Sequence, residues 1–273
     1  MKFTDMLQAA EARNASLLCV GLDPEPSRFP GEWKGDASRI HDFCAAIVDA
    51  THDLVSCFKP QIAYFAAHRA EEQLERLIAH IRRVAPGVPV ILDAKRGDIG
   101  STAQQYAKEA FERYQADALT LSPFMGLDSI EPYMEAYPEK GLILLCRTSN
   151  PGGSDLQAQR LDSGELLYER VARLAQGSWN RSGQLGLVVG ATFPAEIARV
   201  RELAPTLPLL IPGVGAQGGD AASTIRAGLA AGGTVMVNSS RAVLYASAGA
   251  DFAAAARAEA QRTRDLLNAA RGG

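Results

Sequence analysis

The stretch Val88-Pro-Val-Ile-Leu-Asp-Ala-Lys-Arg-Gly-Asp98 carries the strongest structural signal in the chain. It begins as a short apolar run rich in β-branched residues, which is typical of a buried strand. The run ends in charge, with the pattern Asp93-x-Lys95-x-x-Asp98. Side chains two positions apart on a strand share a face, so we expect Asp93 and Lys95 to point the same way. Gly97 ends the strand and a helical pattern follows, which places Asp98 at a strand-to-helix junction.

Charged residues at the end of a buried strand have two interpretations. Buried charges are costly unless they are paired or used in chemistry. In the structural interpretation, Asp98 caps the helix that follows, and Asp93 and Lys95 form an ion pair. In the functional interpretation, all three belong to a catalytic site. The motif alone does not decide between the two.

Composition excludes several classes of protein. The chain has 273 residues, a formal net charge of −3 and a charged fraction of 22%, as in ordinary globular proteins. This charge gives no electrostatic footprint for nucleic acid or an anionic membrane. No signal-peptide pattern and no apolar run of about 20 residues is present. The four scattered cysteines are typical of reduced core residues, so we expect a cytoplasmic protein.

Apolar strand candidates alternate with helical patterns along the whole chain. The strand candidates are Leu17–Asp23, Leu54–Lys59, the run from Val88, Ala116–Leu121, Gly141–Cys146, Gln184–Gly190, Leu207–Ile211 and Gly233–Asn238. The helices between and around them are predicted at Ile40–His52, Ala63–Val84, Ser129–Tyr137, Glu165–Arg181, Pro194–Leu203 and Gly219–Ala230, with further helix to about Ala270. This alternation predicts a parallel sheet.

The number of strands and the chain length favour a closed (β/α)8 TIM barrel over an open sheet. No linker or low-complexity segment divides the chain, so we predict a single α/β domain over residues 1–273, with an extra N-terminal helix at about Lys2–Arg13. A doubly wound open sheet is the alternative. The sequence Gly215-x-x-Gly218-Gly219 does not support it, because it lacks the spacing of a dinucleotide-binding loop.

Polar residues follow most of the predicted strands. In a TIM barrel, the chemistry collects at the carboxyl ends of the strands. The polar groups at these positions are Asp23, Lys59, Asp93 with Lys95, Ser122, Arg147–Ser149, Thr192, Gly213–Gln217 and Asn238–Arg241. Asp23 or Lys59 alone also fits a surface residue. Two acids and two bases on three successive strands predict an alternating charge network at one mouth of the barrel.

A second signal lies in the seventh and eighth loops. The segment Ile211–Gly219 contains Gly213, Gly215 and Gly218 and leads into a predicted helix. Backbone N–H groups in such a loop hold phosphate, and Arg241 after the last strand adds a charged fork. A plain tight turn is the alternative interpretation. The glycines together with Arg241 favour a phosphate site, which recurs at this position in TIM barrels.

Other catalytic patterns are absent from the sequence. The four histidines, His41, His52, His68 and His80, fall in predicted helices away from the strand ends. No His/Cys cluster has metal-ligand spacing, and no nucleophile elbow or Walker loop is present. We therefore expect neither a metal site nor histidine acid–base chemistry.

Taken together, these residues make the sequence similar to the orotidine 5′-phosphate decarboxylase family, in its longer bacterial type. The similarity extends over nearly the whole chain. Its most specific segments are Phe58-Lys-Pro-Gln61, Leu92–Gly100, Thr148–Gly152, Pro212–Gly219 and Asn238–Arg241.

The resemblance implies a role for each matching residue. Lys59, Asp93, Lys95 and Asp98 match the family's charged tetrad, with Asp98 reaching the site of the partner in a homodimer. The implied substrate contacts are Asp23 and Thr102 to the ribose (Thr102 from the partner), Ser149 to the pyrimidine, and Gln217 and Arg241 to the phosphate. The implied reaction converts orotidine 5′-monophosphate to UMP and CO2 without a cofactor, with Lys95 protonating C6. The loop from Thr148 to Gln159 is a candidate lid.

Two alternative functions use the same residues differently. Metal-dependent decarboxylases of sugar-acid phosphates and aldolase-like synthases on this scaffold resemble the chain at Asp-x-Lys-x-x-Asp but use Mg2+ and carry an acid where Lys59 stands. A lysine there would repel the metal. A non-catalytic sensor of phosphorylated metabolites would keep Gln217 and Arg241, but it would have little reason to keep four buried charges.

Overall fold

Strands and helices alternate as the sequence predicts, in a computed structural model that describes residues 1–191, 194–213 and 221–271. Within these residues the strands are β1 (Leu18–Leu22), β2 (Cys57–Pro60), β3 (Ile91–Arg96), β4 (Ala118–Leu121), β5 (Gly141–Arg147), β6 (Leu185–Val189), β7 (Leu209–Pro212) and β8 (Val235–Ser239). The α-helices are α1 (Phe3–Asn14), α2 (Ile40–Thr51), α3 (Ile62–Ala66), α4 (Glu71–Val84), α5 (Gly100–Lys108), α6 (Glu131–Ala136), α7 (Leu167–Gln176), α8 (Pro194–Leu203), α9 (Ala221–Leu229), α10 (Arg241–Leu244) and α11 (Phe252–Arg271).

The eight strands within the described residues form one parallel sheet that curls into a nearly closed barrel. The strand order is β2-β1-β8-β7-β6-β5-β4-β3, and every pair along it is parallel. Two isolated bridges, Phe58 to Val90 and Gln61 to Asp93, join β2 to β3 across the remaining gap. The (β/α)8 prediction is therefore confirmed, and all carboxyl ends of the strands open on the same face.

The interior of the barrel is filled by one apolar layer closed from below by α1. Each strand contributes one side chain to this layer: Cys19, Cys57, Ile91, Ala118, Ile143, Val188, Leu210 and Met236. Phe3 and Leu7 of α1 pack against them. A Cβ on Gly141 would lie 2.3 Å from the Phe3 ring, so only glycine leaves room for this ring. The predicted N-terminal helix thus plugs the amino-terminal face of the barrel.

Several element boundaries differ from the sequence predictions. The helix predicted over Ala63–Val84 is two helices, because Arg69 between α3 and α4 adopts the left-handed conformation with φ +53°. The helix predicted over Glu165–Arg181 ends at Gln176, where Gly177 follows. A π-helical turn, Glu109–Arg113, extends α5.

A larger apolar shell lies between the strands and the outer helices. The helices on this shell keep their apolar faces inward, which is the usual arrangement around a parallel barrel. Among the described residues, no helix is long and apolar enough to cross a membrane. The four cysteines are free and buried, as predicted.

Candidate active site

Strand periodicity explains why charged residues meet above the apolar layer. The residues two positions after Cys57, Ile91 and Ala118 are Lys59, Asp93 and Thr120. Side chains two apart on a strand share a face, so these three side chains extend the inward-facing columns toward the carboxyl ends. All three are buried. The side chains at the carboxyl ends of these strands are therefore polar, whereas the layer of side chains beneath them is apolar.

Asp93 is the centre of a compact charge network. Its Oδ2 accepts a hydrogen bond from Lys59 Nζ at 3.0 Å, and its Oδ1 accepts one from Lys95 Nζ at 2.7 Å. Thr120 Oγ1 also donates to Oδ1, at 2.9 Å. Lys59 is buried, whereas 48% of the Lys95 side chain is exposed. One carboxylate thus holds two ammonium groups, of which only Lys95 reaches the open side of the network.

The network fixes the charge state of its buried members. Burial alone would raise the pKa of Asp93, but the Lys59 and Lys95 ammonium groups outweigh it and hold this pKa well below its ordinary value. Burial alone would lower the pKa of Lys59, but Asp93 and then Asp23 raise it above its ordinary value. Asp93 is therefore an anion and Lys59 a cation at neutral pH.

Lys95 occupies an unusual backbone conformation. The parallel register pairs Leu92 with Leu119 and Arg96 with Leu121, so β3 uses four residue steps where β4 uses two. Lys95 lies in this bulge with φ +46°, in the left-handed region. That conformation costs a non-glycine residue about 1–2 kcal/mol. The Asp93 and Lys95 side chains do meet, as predicted, but through a bulge and not through simple strand alternation.

A cavity of about 220 Å³ lies over the network. Its lining includes the residues of the charge network, Lys59, Asp93, Lys95 and Thr120, and residues of the loop after β5, Thr148, Ser149 and Asn150. Asp23 follows β1, and its buried Oδ1 has no hydrogen-bond partner in the described part of the chain. The predicted residues Asp23, Lys59, Asp93, Lys95 and Ser149 thus belong to the same end of the barrel.

The loop that carries Ser149 is braced by a residue to which sequence reasoning gave no role of its own. Arg147, at the end of β5, is buried and pairs through Nε with Glu196 Oε2 of α8 at 2.9 Å. Its Nη2 donates to Ser154 Oγ at 3.1 Å. Gln157 Oε1 accepts the Thr148 N–H at 2.7 Å, which closes the loop on itself. Ser149 is therefore presented by an organised loop.

Two predicted residues lie apart from the network. Asp98 Oδ1 accepts the Ile99 N–H at 2.9 Å and forms no ion pair within the described residues. Thr102 is exposed on the first turns of α5. The structure of the single chain brings neither residue to Asp93.

The predicted phosphate site is only partly described. Gly213 follows β7 with φ +96°, a conformation that favours glycine. Arg241 begins α10 directly after β8, and its side chain is exposed. Gly215, Gln217 and Gly218 lie outside the described residues, as does Thr192.

Sequence reasoning missed Thr120. In the sequence it is one residue of an apolar strand candidate, although it stands two positions after Ala118, as Asp93 stands two after Ile91. Its hydroxyl contacts the carboxylate of Asp93 and the backbone of β3. Applying the same two-residue spacing to every strand would have identified it.

The histidines take no part in this site. His41 of α2 and His80 of α4 pair with Asp42 and Asp49 on the outer helices. Within residues 1–191, 194–213 and 221–271, no group of three or more His, Cys, Asp or Glu side chains has the geometry to hold a metal ion.

Fold and site together define a parallel (β/α)8 barrel with a lysine–aspartate–lysine network at the carboxyl ends of β2 and β3. Residues 16–258 match the model of the orotidine 5′-phosphate decarboxylase / HUMPS family. The chain therefore belongs to this family, and the resemblance inferred from its motifs is confirmed.

Similar proteins agree with this assignment over the full length. The chain is 77% identical over 275 residues to an orotidine 5′-phosphate decarboxylase of Paracidovorax citrulli, with 100% of both chains covered. It is 75% identical to one of Polaromonas naphthalenivorans, with 99% of this chain and 97% of that one covered. The structure of Leishmania donovani OMP decarboxylase superimposes with a TM-score of 0.86 at 40% identity, covering 100% of both chains.

Proposed function

We propose that this protein is an orotidine 5′-phosphate decarboxylase that converts orotidine 5′-monophosphate to UMP and CO2 in pyrimidine biosynthesis, without a cofactor. Family membership and identity to similarly named proteins support the proposal. The observation that carries it is the buried Asp93 carboxylate held between Lys59 and Lys95. The reaction belongs in the cytoplasm, since four free, buried cysteines suit a reducing compartment.

In this reaction Lys95 stabilises charge and donates the proton. The bond between C6 and the carboxylate breaks, CO2 leaves, and the electron pair stays on C6 in the plane of the ring. The π system does not delocalise that pair, and no cofactor acts as an electron sink. The Lys95 ammonium provides preorganised positive charge at C6 and then transfers its proton there. The resulting amine regains a proton from solvent.

Asp93 acts on the substrate and on the lysines. It is ionised at neutral pH because two ammonium groups hold its pKa down against the effect of burial. Its charge repels the substrate carboxylate, which favours departure of CO2. The larger effect is the fixed position of Lys95, whose charge complements the transition state. Lys59, buried on the other side of Asp93, keeps the carboxylate oriented toward Lys95.

The remaining substrate contacts supply binding energy away from the reacting carbon. We assign Asp23, with its unpartnered buried Oδ1, to the ribose hydroxyls, and Ser149 to the pyrimidine. The phosphate contacts are assigned to Arg241, Gln217 and the loop glycines Gly213, Gly215 and Gly218. Energy from the phosphate grip can close the loop from Thr148 to Gln159 over the reaction.

We further propose that the active form is a homodimer in which Asp98 and Thr102 enter the partner's site. Asp98 has no ion pair among the described residues of its own chain. Exposed apolar side chains occur next to it in sequence, at Ile99, and on the loop after β4, at Met125 and at Phe124, which is 78% exposed. The Ser122 N–H donates to the Arg96 carbonyl, so the loops carrying these residues are adjacent. Such an apolar cluster at the mouth fits an interface between copies.

An ultraviolet assay tests the reaction directly. Purified protein is mixed with orotidine 5′-monophosphate in EDTA, and loss of the orotate chromophore is followed. Conversion to UMP is expected, and chelation should leave its rate unchanged. Activity only with added Mg2+ would favour the metal-dependent members of this scaffold. UMP binding without conversion would favour a sensor and overturn the proposal.

A further inference from the structure

The position of Lys95 depends on a bulge that the sequence of β3 does not favour. Lysine gains nothing from the left-handed region, yet Lys95 has φ +46° inside a strand. The register shift between Leu92 and Arg96 marks the same point. Such a conformation persists only where surrounding contacts impose it. Those contacts must act on the backbone of Ala94 and Lys95.

The hydroxyl of Thr120 supplies contacts of this kind. Thr120 Oγ1 accepts the Ala94 N–H and the Lys95 N–H, each at 3.0 Å. It donates its own hydrogen to Asp93 Oδ1 at 2.9 Å. A threonine hydroxyl has one donor and two acceptor lone pairs, so this single oxygen uses its whole hydrogen-bonding capacity on three successive residues of β3. The side chain is only 1% exposed, which leaves little competition from water.

We propose that Thr120 is a positioning residue for the decarboxylation, holding the bulge of β3 so that the Lys95 ammonium and the Asp93 carboxylate keep their mutual geometry. The inference rests on the proposed function, because it assigns Thr120 to the same reaction. Thr120 reaches the backbone of Lys95 and the side chain of Asp93 from one atom on a neighbouring strand. No other hydroxyl in the described residues does both.

The proposal predicts different effects on turnover and on the binding of UMP. UMP lacks the carboxylate that leaves, so its affinity depends on the ribose, phosphate and pyrimidine contacts and not on the exact placement of Lys95. Misplacing a reacting group by about 1 Å costs on the order of 100-fold in rate. Loss of the Thr120 hydroxyl should therefore lower kcat and leave product binding nearly unchanged. A residue that only fills space would not produce this split.

The experiment compares substitutions at Thr120 in the full-length protein. Thr120→Val keeps the shape and removes all three hydrogen bonds, whereas Thr120→Ser keeps the hydroxyl. Thr120→Ala removes the hydroxyl without a branched side chain and provides a second test if valine weakens the fold. Thr51→Val is the matched control, because Thr51 is also buried but donates only to the Ile47 carbonyl of its own helix. Turnover, KM, UMP affinity and Tm are measured for each.

The expected result is a fall in kcat of roughly 100-fold for Thr120→Val and Thr120→Ala, with KM and UMP affinity within about threefold of the wild type. Thr120→Ser and Thr51→Val should turn over within about threefold of the wild type. Wild-type kcat in both hydroxyl-free variants would overturn the proposal. Equal impairment of the serine variant, or a parallel loss of UMP affinity, would also overturn it. A wild-type protein that does not consume orotidine 5′-monophosphate would instead refute the proposed function.

Discussion

Charge is buried at both ends of the barrel, and two of these charges, Asp93 and Arg201, have different kinds of partner. At the carboxyl ends of the strands, Asp93 lies between Lys59 and Lys95. Near the amino ends of β7 and β8, Arg201 of α8 is 1% exposed and forms no ion pair within the described residues. Among the described residues its guanidinium donates to carbonyls alone, those of Ala204, Pro205, Leu207, Gly228 and Thr234.

The difference in partners distinguishes the catalytic network around Asp93 from Arg201, which has a structural role. All three nitrogens of the Arg201 guanidinium, Nε, Nη1 and Nη2, donate at 2.7 to 3.2 Å to segments that surround β7 and β8. Burial lowers the Arg201 pKa to about 10, and the group stays charged. Lys95, in contrast, is half exposed and sits on a strained backbone. A buried charge that is hydrogen-bonded to the surrounding backbone is typical of a structural role. A partly exposed charge on a strained backbone is typical of a catalytic role.

Removing the lysine that faces the cavity should have the largest effect on activity. Lys95→Ala deletes both the charge at C6 and the proton donor, so we expect turnover to fall roughly 10⁴-fold or more. UMP should still bind, because its main contacts lie elsewhere. Single-turnover assays and UMP titration measure the two properties. Retention of substantial turnover would remove Lys95 from the proposed role.

Lys95→Gly is a sharper control for the strain at this position. Glycine normally destabilises a strand relative to alanine, but it adopts positive φ without penalty. We therefore expect Lys95→Gly to be about 1 kcal/mol more stable than Lys95→Ala, although both are inactive. Urea unfolding gives this difference. The reverse order would contradict the left-handed conformation of Lys95.

Arg201→Met should have the largest effect on stability. The substitution removes the Arg201 donor from carbonyls of three segments, and we expect a loss of about 3–5 kcal/mol in the free energy of unfolding. Turnover per folded molecule should stay at the wild-type value, because Arg201 lies on the far face from Asp93. Urea unfolding and active-site titration separate the two. A stable variant, or a folded variant with low turnover, would contradict the structural role.

Arg241→Met is the same substitution at a different arginine, and we expect it to impair kinetics and to leave stability nearly unchanged. Arg241 is exposed at the start of α10, so its loss should change the free energy of unfolding by no more than about 0.5 kcal/mol. If Arg241 holds the substrate phosphate, kcat/KM should fall about 100-fold, or roughly 2.7 kcal/mol. Steady-state kinetics and thermal unfolding of the two methionine variants side by side provide the measurement. Unchanged kinetics would refute the phosphate assignment.

The sequence predicted the barrel and the network because both follow from periodicity. Buried parallel strands appear as apolar runs, and the fixed period of two carries Lys59 and Asp93 to the same side as the apolar residues below them. It did not predict the bulge at Lys95, since no glycine or proline marks that position. The break at Arg69 was missed for the same reason.

Arg201 shows a different limit of sequence reasoning. It stands four residues after Ile197 and three before Ala204, on the buried face of α8, although arginine is rarely buried. Its burial depends on carbonyls after α8, before β7 and β8, and near the end of α9, which no local pattern reveals. The roles of Asp98 and Thr102 across an interface likewise depend on a second copy of the chain, so they stay predictions.

Acid should distinguish the two buried charges, Asp93 and Arg201, by its effect on the free energy of unfolding. Burial alone would raise the pKa of Asp93, but Lys59 and Lys95 lower it below its value in the unfolded chain. A carboxyl with a lowered pKa in the folded state stabilises the fold above its unfolded pKa, and this contribution is lost as the pH falls through the folded pKa. Asp93 should therefore contribute on the order of 2 kcal/mol at neutral pH, declining below about pH 4.

The measurement is urea unfolding of the wild type, Asp93→Asn and Arg201→Met between about pH 3 and pH 7. The difference in the free energy of unfolding between the wild type and Asp93→Asn should become smaller toward about pH 3. Protonation removes the Asp93 charge from the wild type at low pH, whereas the substitution has already removed it from the variant. The difference in the free energy of unfolding between the wild type and Arg201→Met should stay constant, since Arg201 remains protonated throughout this range and methionine does not titrate. A constant difference in the free energy of unfolding for Asp93→Asn would mean that the two lysines do not hold Asp93 ionised. The proposed contrast between Asp93 and Arg201 would then be wrong for Asp93.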